Sequence, residues 1–183
     1  MKNIVIIGSG DLGKELVWLI EDINKYRPTY LILGFLDDNK EKIGSEFYGY
    51  KVIGSIDQLE EISEKIPTAA VIAIQDGEVR KKIVEDHKDF KEWESIVHPT
   101  AVIASTSPVG KGTIVFPHVT VSVDTKLGEF DLFYINSTIC NDCIVGDYVS
   151  IMSGSTVSER AEVAAEKLLP AGCTVEPHSK YGK

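Results

Sequence analysis

The segment 133–157, FYINSTICNDCIVGDYVSIMSGSTV, carries a large apolar residue at every sixth position: Phe133, Ile139, Val145, Ile151 and Val157. Stepping outward by six extends the series without a break. It reaches back through Leu127, Val121, Val115, Val109 and Ile103 to Val97, and forward through Val163 and Leu169 to Val175. Four residues after each apolar position the side chain is mostly small, as at Ala101, Ser107, Thr113, Ser137, Cys143, Ser155 and Ala161, with Asp131 and Lys167 as exceptions. A period of six fits neither an amphipathic helix nor a heptad. It is the mark of a parallel β-helix, in which short strands alternate with turns and successive coils stack. With three hexads to a triangular coil, the fourteen apolar positions make nearly five coils. At a strand spacing of about 4.8 Å that prism is roughly 20–25 Å tall. Its core is the column of inward branched side chains.

The chain has 183 residues, 43% hydrophobic and 26% charged, with a net charge of −9. Its isoelectric point is near 4.9. An acidic balance argues against a general nucleic-acid or anionic-membrane surface, so neither partner is expected. No apolar run approaches a membrane span, and Ile4–Ile7 is strand-sized, so the expected compartment is the cytoplasm. Three cysteines do not make a disulfide framework. Cys140 and Cys143 form a C-x-x-C, but the hexad count gives Cys143 and Cys173 the small inward place, and no metal site is expected.

Upstream of the hexads, Lys2–Gly8 is an apolar run closed by Gly8-Ser9-Gly10-Asp11-Leu12-Gly13. A helical pattern follows, with Leu12, Leu16, Leu19, Ile20 and Ile23 on one face. Strand, glycine turn and helix in that order form the setting in which glycines admit a phosphate to the backbone and the helix N-terminus offers it free N–H groups. A second strand, Tyr30–Leu36, ends in Asp37-Asp38, near where such a unit places a ribose-binding carboxylate; the plainer alternative is a turn with Asn39. Gly44–Gly54 reads as a loop or hairpin. Ser55 and Gln58 form a capping box for a helix with Leu59, Ile62 and Ile66 inward. Ala69–Ile74 is a buried strand, a charged helix runs to about His87, and Trp93–Val97 is a last strand. The alternation implies a small parallel sheet covered by helices over residues 1–95, with His98-Pro99 at the boundary and the β-helix over 96–183. Some 95 residues make one mononucleotide half-fold, too little for a dehydrogenase.

An α/β nucleotide unit followed by hexapeptide coils resembles the NeuD/PglD-type sugar O-/N-acyltransferase family over essentially the whole chain. The resemblance rests on Ile6-Ile7-Gly8-Ser9-Gly10, Gly34-Phe35-Leu36-Asp37-Asp38, Ala73-Ile74-Gln75-Asp76, Val97-His98-Pro99-Thr100-Ala101 and Asp142-Cys143-Ile144-Val145-Gly146-Asp147-Tyr148. It implies a Rossmann-like domain and a left-handed parallel β-helix. It also implies transfer of an acetyl group from acetyl-CoA to an amino or hydroxyl group of a nucleotide-linked sugar, often a UDP-sugar. The assembly it implies is a homotrimer with CoA between neighbouring prisms. Gly8, Ser9 and Gly10 would cradle the phosphates, Asp37 and Asp38 would face the uridine, and Gln75 would lie on the substrate side. Ser150 and Gly154 would lie on the CoA side.

The chain departs from the family where proton transfer occurs. Alignment on Asp142-Cys143 puts Asn141 at the place of the family's base histidine, Ser150 at a second histidine and Leu12 at a third. An amide hydrogen-bonds but takes no proton near neutral pH. Of the remaining histidines, His118 is the candidate that a trimer neighbour would bring to the groove; His98 falls at the domain junction, where it orders the turn before Pro99, and His178 in the tail. Glu166-Lys167-Leu168-Leu169 reads as partly helical, so the coils are expected to lapse after Val163. Two functions follow. One is an acyltransferase in which Asn141 and Asp142 position the acceptor. The other is a member of the same fold that binds sugar nucleotide without acyl transfer.

Overall fold

The computed structural model describes residues 1–182. They divide into two compact units: residues 1–74 with 87–94, and residues 75–86 with 95–182. The helix over 77–86 therefore belongs to the second unit, although in sequence it lies inside the first. None of the described helices is long and apolar enough to cross a membrane.

The second unit is built as the hexads require. Two-residue strands stack in parallel on three faces, each strand pairing with the one eighteen residues on. One face carries Ile96–Val97, Ile114–Val115, Leu132–Phe133, Ser150–Ile151 and Leu168–Leu169. The next carries Val102–Ile103, Thr120–Val121, Thr138–Ile139, Thr156–Val157 and Thr174–Val175. The third carries Ile144–Val145, Glu162–Val163 and Lys180–Tyr181, preceded by a single bridge from Lys126 to Ile144. The second residue of the strands builds the core, in which Val115, Phe133, Ile139, Ile151, Val157 and Leu169 are fully buried, whereas Val97 in the first coil is exposed. Three places after each apolar residue from Val109 to Val175 the backbone turns through the left-handed region, at φ 56–69°. Glycine holds this place only at Gly112, Gly154 and Gly172; elsewhere it falls to His118, Asp124, Phe130, Asn136, Asp142, Tyr148, Arg160, Glu166 and His178. Left-handed backbone costs a side-chain-bearing residue roughly 1–2 kcal/mol, so the stacked core holds these turns.

This corrects the expectation for the C-terminal stretch. Glu166 is not helical but is the left-handed turn residue, and Leu168–Leu169, Thr174–Val175 and Lys180–Tyr181 continue the coils. The physical reason is that Leu169 and Val175 rest on Ile151 and Val157 in register, and burial outweighs the local helical preference of the sequence.

The outward residues of the first face are themselves apolar and buried at Ile96, Ile114 and Leu132. The unit's helix, α3 (Gly77–Asp86), lies along the edge of this face, where Arg80 donates to Phe130, Tyr148 and Ser150 and Lys81 pairs with Glu166. Its approach is close: a Cβ on Gly77 would stand 2.2 Å from the carbonyl oxygen of Tyr148.

In the first unit, β1 (Lys2–Ile7), β2 (Tyr30–Leu36), β4 (Tyr50–Gly54) and β5 (Ala69–Ile72) form a parallel sheet, with β3 (Glu46–Phe47) antiparallel on the edge. The order is β3-β4-β2-β1-β5. Helix α1 (Asp11–Tyr26) buries Leu12, Leu16, Leu19, Ile20 and Ile23, as the periodicity predicts. Ser55 and Gln58 make the predicted capping box at a 3₁₀ turn that leads into α2 (Leu59–Lys65). Leu59 is buried, but Ile66 lies past the helix end and is half exposed. The strand expected over 93–97 does not form as one piece. Trp93 makes one bridge to Ala70, and Ile96–Val97 opens the β-helix.

Candidate functional site

In the first unit the glycine loop stands at the carboxyl end of β1, where the chain passes from the β2 side of the sheet to the β5 side. Open α/β sheets bind ligands at such a switch point. Gly8 has φ 100°, and a Cβ there would meet the Ala73 carbonyl oxygen at 3.0 Å. A Cβ on Gly13 would stand 2.5 Å from the Gly8 carbonyl oxygen, so only glycine lets α1 start against the loop. Gly10 is the N-cap of α1 with no side chain above it, and the space around it is open. The first N–H groups of a 16-residue helix thus face outward beside the loop.

Asp37 does not face outward with them. Its Oδ2 accepts hydrogen bonds from the Ser9 hydroxyl, from the Ser9 N–H at 2.9 Å and from Lys42 Nζ at 3.1 Å, while Oδ1 accepts from the Asn39 N–H. Burial pushes the carboxyl up, but these donors outweigh it and hold its pKa at about 2. Lys42 Nζ also donates to the Ser9 carbonyl and hydroxyl, at 3.1 and 3.2 Å. Asp37 is therefore a clamp on the glycine loop, and the expectation that it faces a nucleoside gives way to that role. Lys42, which has no motif around it, is the residue that sequence reasoning missed. Asp38 accepts from the Ile56 N–H at 3.0 Å and lines a cleft of about 550 Å³ with Lys40, Ile43, Ser55 and Asp57.

In the second unit Asn141 and Asp142 occupy a turn on one edge of the prism. Asn141 Nδ2 donates to Asp142 Oδ2 at 2.7 Å, and Arg160, one coil on, brings Nη2 to 3.6 Å from the same oxygen. Residues at eighteen-residue steps share this edge: Asp124, Asp142, Arg160 and His178. His118 is the turn residue of a different edge, in register with Asn136 and Gly154, so within one chain it does not meet Asn141. His98 is buried, and its Nδ1 accepts from the Thr100 N–H, so the turn it orders runs through Pro99 and not before it. Gly154 is an open turn residue on the His118 edge. Gln75 is exposed, and its side-chain amide lies 3.4 Å from the Met152 sulfur. Cys143 is fully buried and donates its thiol to the Ser158 carbonyl; burial pushes its pKa up. The described residues contain no cluster of three His, Cys, Asp or Glu able to hold a metal.

Ser150 is a correction. It is 1% exposed, and its hydroxyl proton is spent on the Gln75 carbonyl at 2.7 Å while it accepts from Arg80 Nη1 at 3.0 Å, so its burial keeps it from the surface where a cofactor would lie. Arg80 itself enters from α3 and donates to the carbonyls of Phe130, Gln75, Tyr148 and Val149. Beside it lies Asp131, the odd residue among the small inward positions, whose Oδ1 accepts from the Val149 N–H while Oδ2 has no hydrogen-bond partner. Burial lowers Arg80 to about 10 and raises the Asp131 carboxyl well above the usual range.

Comparison with known proteins matches residues 3–87 to the family described as PglD N-terminal domain. The chain is 28% identical over 119 residues to UDP-N-acetylbacillosamine N-acetyltransferase of Bacillus subtilis (strain 168), covering 63% of this chain and 51% of the relative. The match thus spans about half the length of that relative. Among solved structures, the acetyltransferase domain of PglB from Neisseria gonorrhoeae FA1090, in complex with acetyl coenzyme A, superposes with a TM-score of 0.85 at 24% identity, over 98% of this chain and 84% of that one. A His-to-Asn mutant of perosamine N-acetyltransferase from Caulobacter crescentus, in complex with CoA and GDP-perosamine, gives 0.78 at 20% identity, over 100% and 92%. These likenesses establish the fold as a Rossmann-like unit followed by a left-handed β-helix.

Proposed function

We propose that the chain, similar to the PglD N-terminal domain family over residues 3–87, transfers an acyl group from acyl-CoA, acetyl-CoA in the first instance, to a sugar carried on a nucleotide. The observation that carries the reading is the glycine loop. Each of Gly8 and Gly13 is demanded by geometry, and the loop leaves the start of α1 open to an anion at the sheet's switch point. Lys42 adds a cation beside it, and the Asp38 cleft is of a size for a nucleoside. In the second unit Asn141 and Asp142 orient the acceptor. A homotrimer acting in the cytoplasm completes the reading: Val102, Val123 and Ile144 are exposed on the prism, and closed symmetry is the usual way to cover such side chains.

A second reading, sugar-nucleotide binding without transfer, is favoured by one residue, Asn141 at the base position. The Caulobacter mutant argues that this need not end ligand binding, since that protein holds CoA and GDP-perosamine with a histidine replaced by asparagine. Calorimetric titration separates the two. Acyl transfer predicts acetyl-CoA binding on the order of micromolar, with and without a UDP-amino sugar. Sugar-nucleotide binding with no acetyl-CoA binding contradicts it.

A further inference from the structure

We propose that Gln75 is a specificity-determining residue whose side chain binds a secondary amide of the ligand; the inference rests on the acyl-transfer reading above. Two ligand groups share that chemistry, the amide-bearing arm of acyl-CoA and an acetamido group on the sugar. Gln75 is exposed, yet its backbone is held from beneath by buried groups. Its carbonyl oxygen accepts from Arg80 Nη1 at 2.7 Å and from the Ser150 hydroxyl at 2.7 Å, and these donor residues are 2% and 1% exposed. Asp76 follows, and its Oδ1 accepts from the Glu78 N–H at 2.9 Å, which fixes the first turn of α3. Gly77 then passes so near the Tyr148 carbonyl oxygen that no Cβ would fit between them.

An exposed glutamine ordinarily gives up backbone and rotamer freedom when a ligand engages it. Here the backbone is already ordered, and the amide rests on the Met152 sulfur, 3.4 Å from Nε2. A thioether is a weak acceptor, so a ligand carbonyl displaces it with little loss. Oε1 and the second amide hydrogen have no partner among the described residues. A phosphate offers Oε1 no proton, whereas an amide can engage the glutamine from either of its ends, by its N–H at Oε1 or by its carbonyl at Nε2. Half-buried Met152 adds an apolar surface that a hydroxyl leaves wet and that the methyl or methylene beside an amide covers. Both sources of the amide fit these surroundings. Along the chain Gln75 follows Ala73 and Ile74, which lie against Gly8 of the glycine loop, and its side chain touches the coil that leads into the open turn at Gly154.

The test titrates the full chain and its Gln75→Ala variant in a calorimeter with acetyl-CoA, UDP-glucose and UDP-N-acetylglucosamine. The variant is expected to lose roughly tenfold in affinity, the worth of one to two neutral hydrogen bonds, for one or both of the amide-bearing ligands and nothing for UDP-glucose. Loss for acetyl-CoA assigns the glutamine to the donor's arm; loss for UDP-N-acetylglucosamine assigns it to the acetamido group. The melting temperature should match that of the unsubstituted chain, since the side chain gives up only its sulfur contact. Unchanged affinity for both amide-bearing ligands, or an equal loss on all the ligands such as a lowered melting temperature would bring, would overturn the inference while leaving acyl transfer standing. No binding of acetyl-CoA by the unsubstituted chain would overturn the acyl-transfer reading, and the inference with it.

Discussion

Arg80→Met should destabilise the second unit strongly. Arg80 is 2% exposed and donates to four backbone carbonyls and the Ser150 hydroxyl. Asp131 beside it is 1% exposed and satisfied at one oxygen only. Leaving a buried carbonyl without its donor costs roughly 1–3 kcal/mol, and Arg80 serves four of them, while Asp131 loses the nearby cation that opposes the rise of its carboxyl. The sign of the pH dependence follows from Asp131. Burial raises its carboxyl, and Arg80 opposes that rise. Without the guanidinium the folded-state value climbs further above the unfolded value of about 3.9. Between those two values the native state binds more protons than the unfolded chain, so stability falls as pH rises. The deficit of Arg80→Met should therefore be larger at pH 8 than at pH 5. Urea unfolding followed by far-UV circular dichroism reads it, since both tryptophans, Trp18 and Trp93, lie in the other unit. Adding Asp131→Asn should recover on the order of 1 kcal/mol or more relative to additivity. Equal deficits at both pH values, with additive single and double variants, would refute the pairing.

Three further substitutions probe the rest. Asp37→Asn should cost the first unit roughly 1.5–3 kcal/mol, the worth of a hydrogen bond to a charged group, read by tryptophan fluorescence. Because Asp37 is depressed to about 2, its contribution is present above the unfolded value and is lost as pH falls toward 2; the variant should lack that acid limb. Gly13→Ala, whose Cβ would press on the Gly8 carbonyl oxygen at 2.5 Å, should cost about 1–3 kcal/mol and weaken nucleotide-sugar affinity in calorimetry. Phe133→Ala empties a fully buried position in the prism and should cost about 3–5 kcal/mol by circular dichroism.

The hexad count was legible because a stacked coil forces one inward residue per side, so Val97 to Val175 carry their register in plain view. The turns were not. The left-handed place is held by Phe130, Tyr148, Glu166 and His178 at a local cost that the stacked core offsets, and without glycine to mark it the C-terminal coils were hidden. Helix α3 was legible as a helix, but nothing local in Gly77–Asp86 tells which unit it covers. Arg80 reads as one more surface charge until its carbonyl partners, fifty to seventy residues away, are in place. Asp131 did carry a signal, as the acidic side chain among the small inward positions. At the glycine loop the motif and the Asp37 spacing bring Ser9 and Asp37 together, as their hydrogen bonds show. The role of Asp37 was decided by Ser9 and Lys42, whose contacts depend on how the loop after β2 folds back.

The most direct test of the central claim is to incubate the chain with acetyl-CoA and a nucleotide-linked amino sugar, and to follow thiol release and the mass of the sugar nucleotide together. The account predicts one acetyl group gained by the sugar nucleotide for each thiol released. Sugar nucleotide that binds but gains no acetyl group, with no thiol released above the blank, would contradict it and leave a binding protein on an acyltransferase fold.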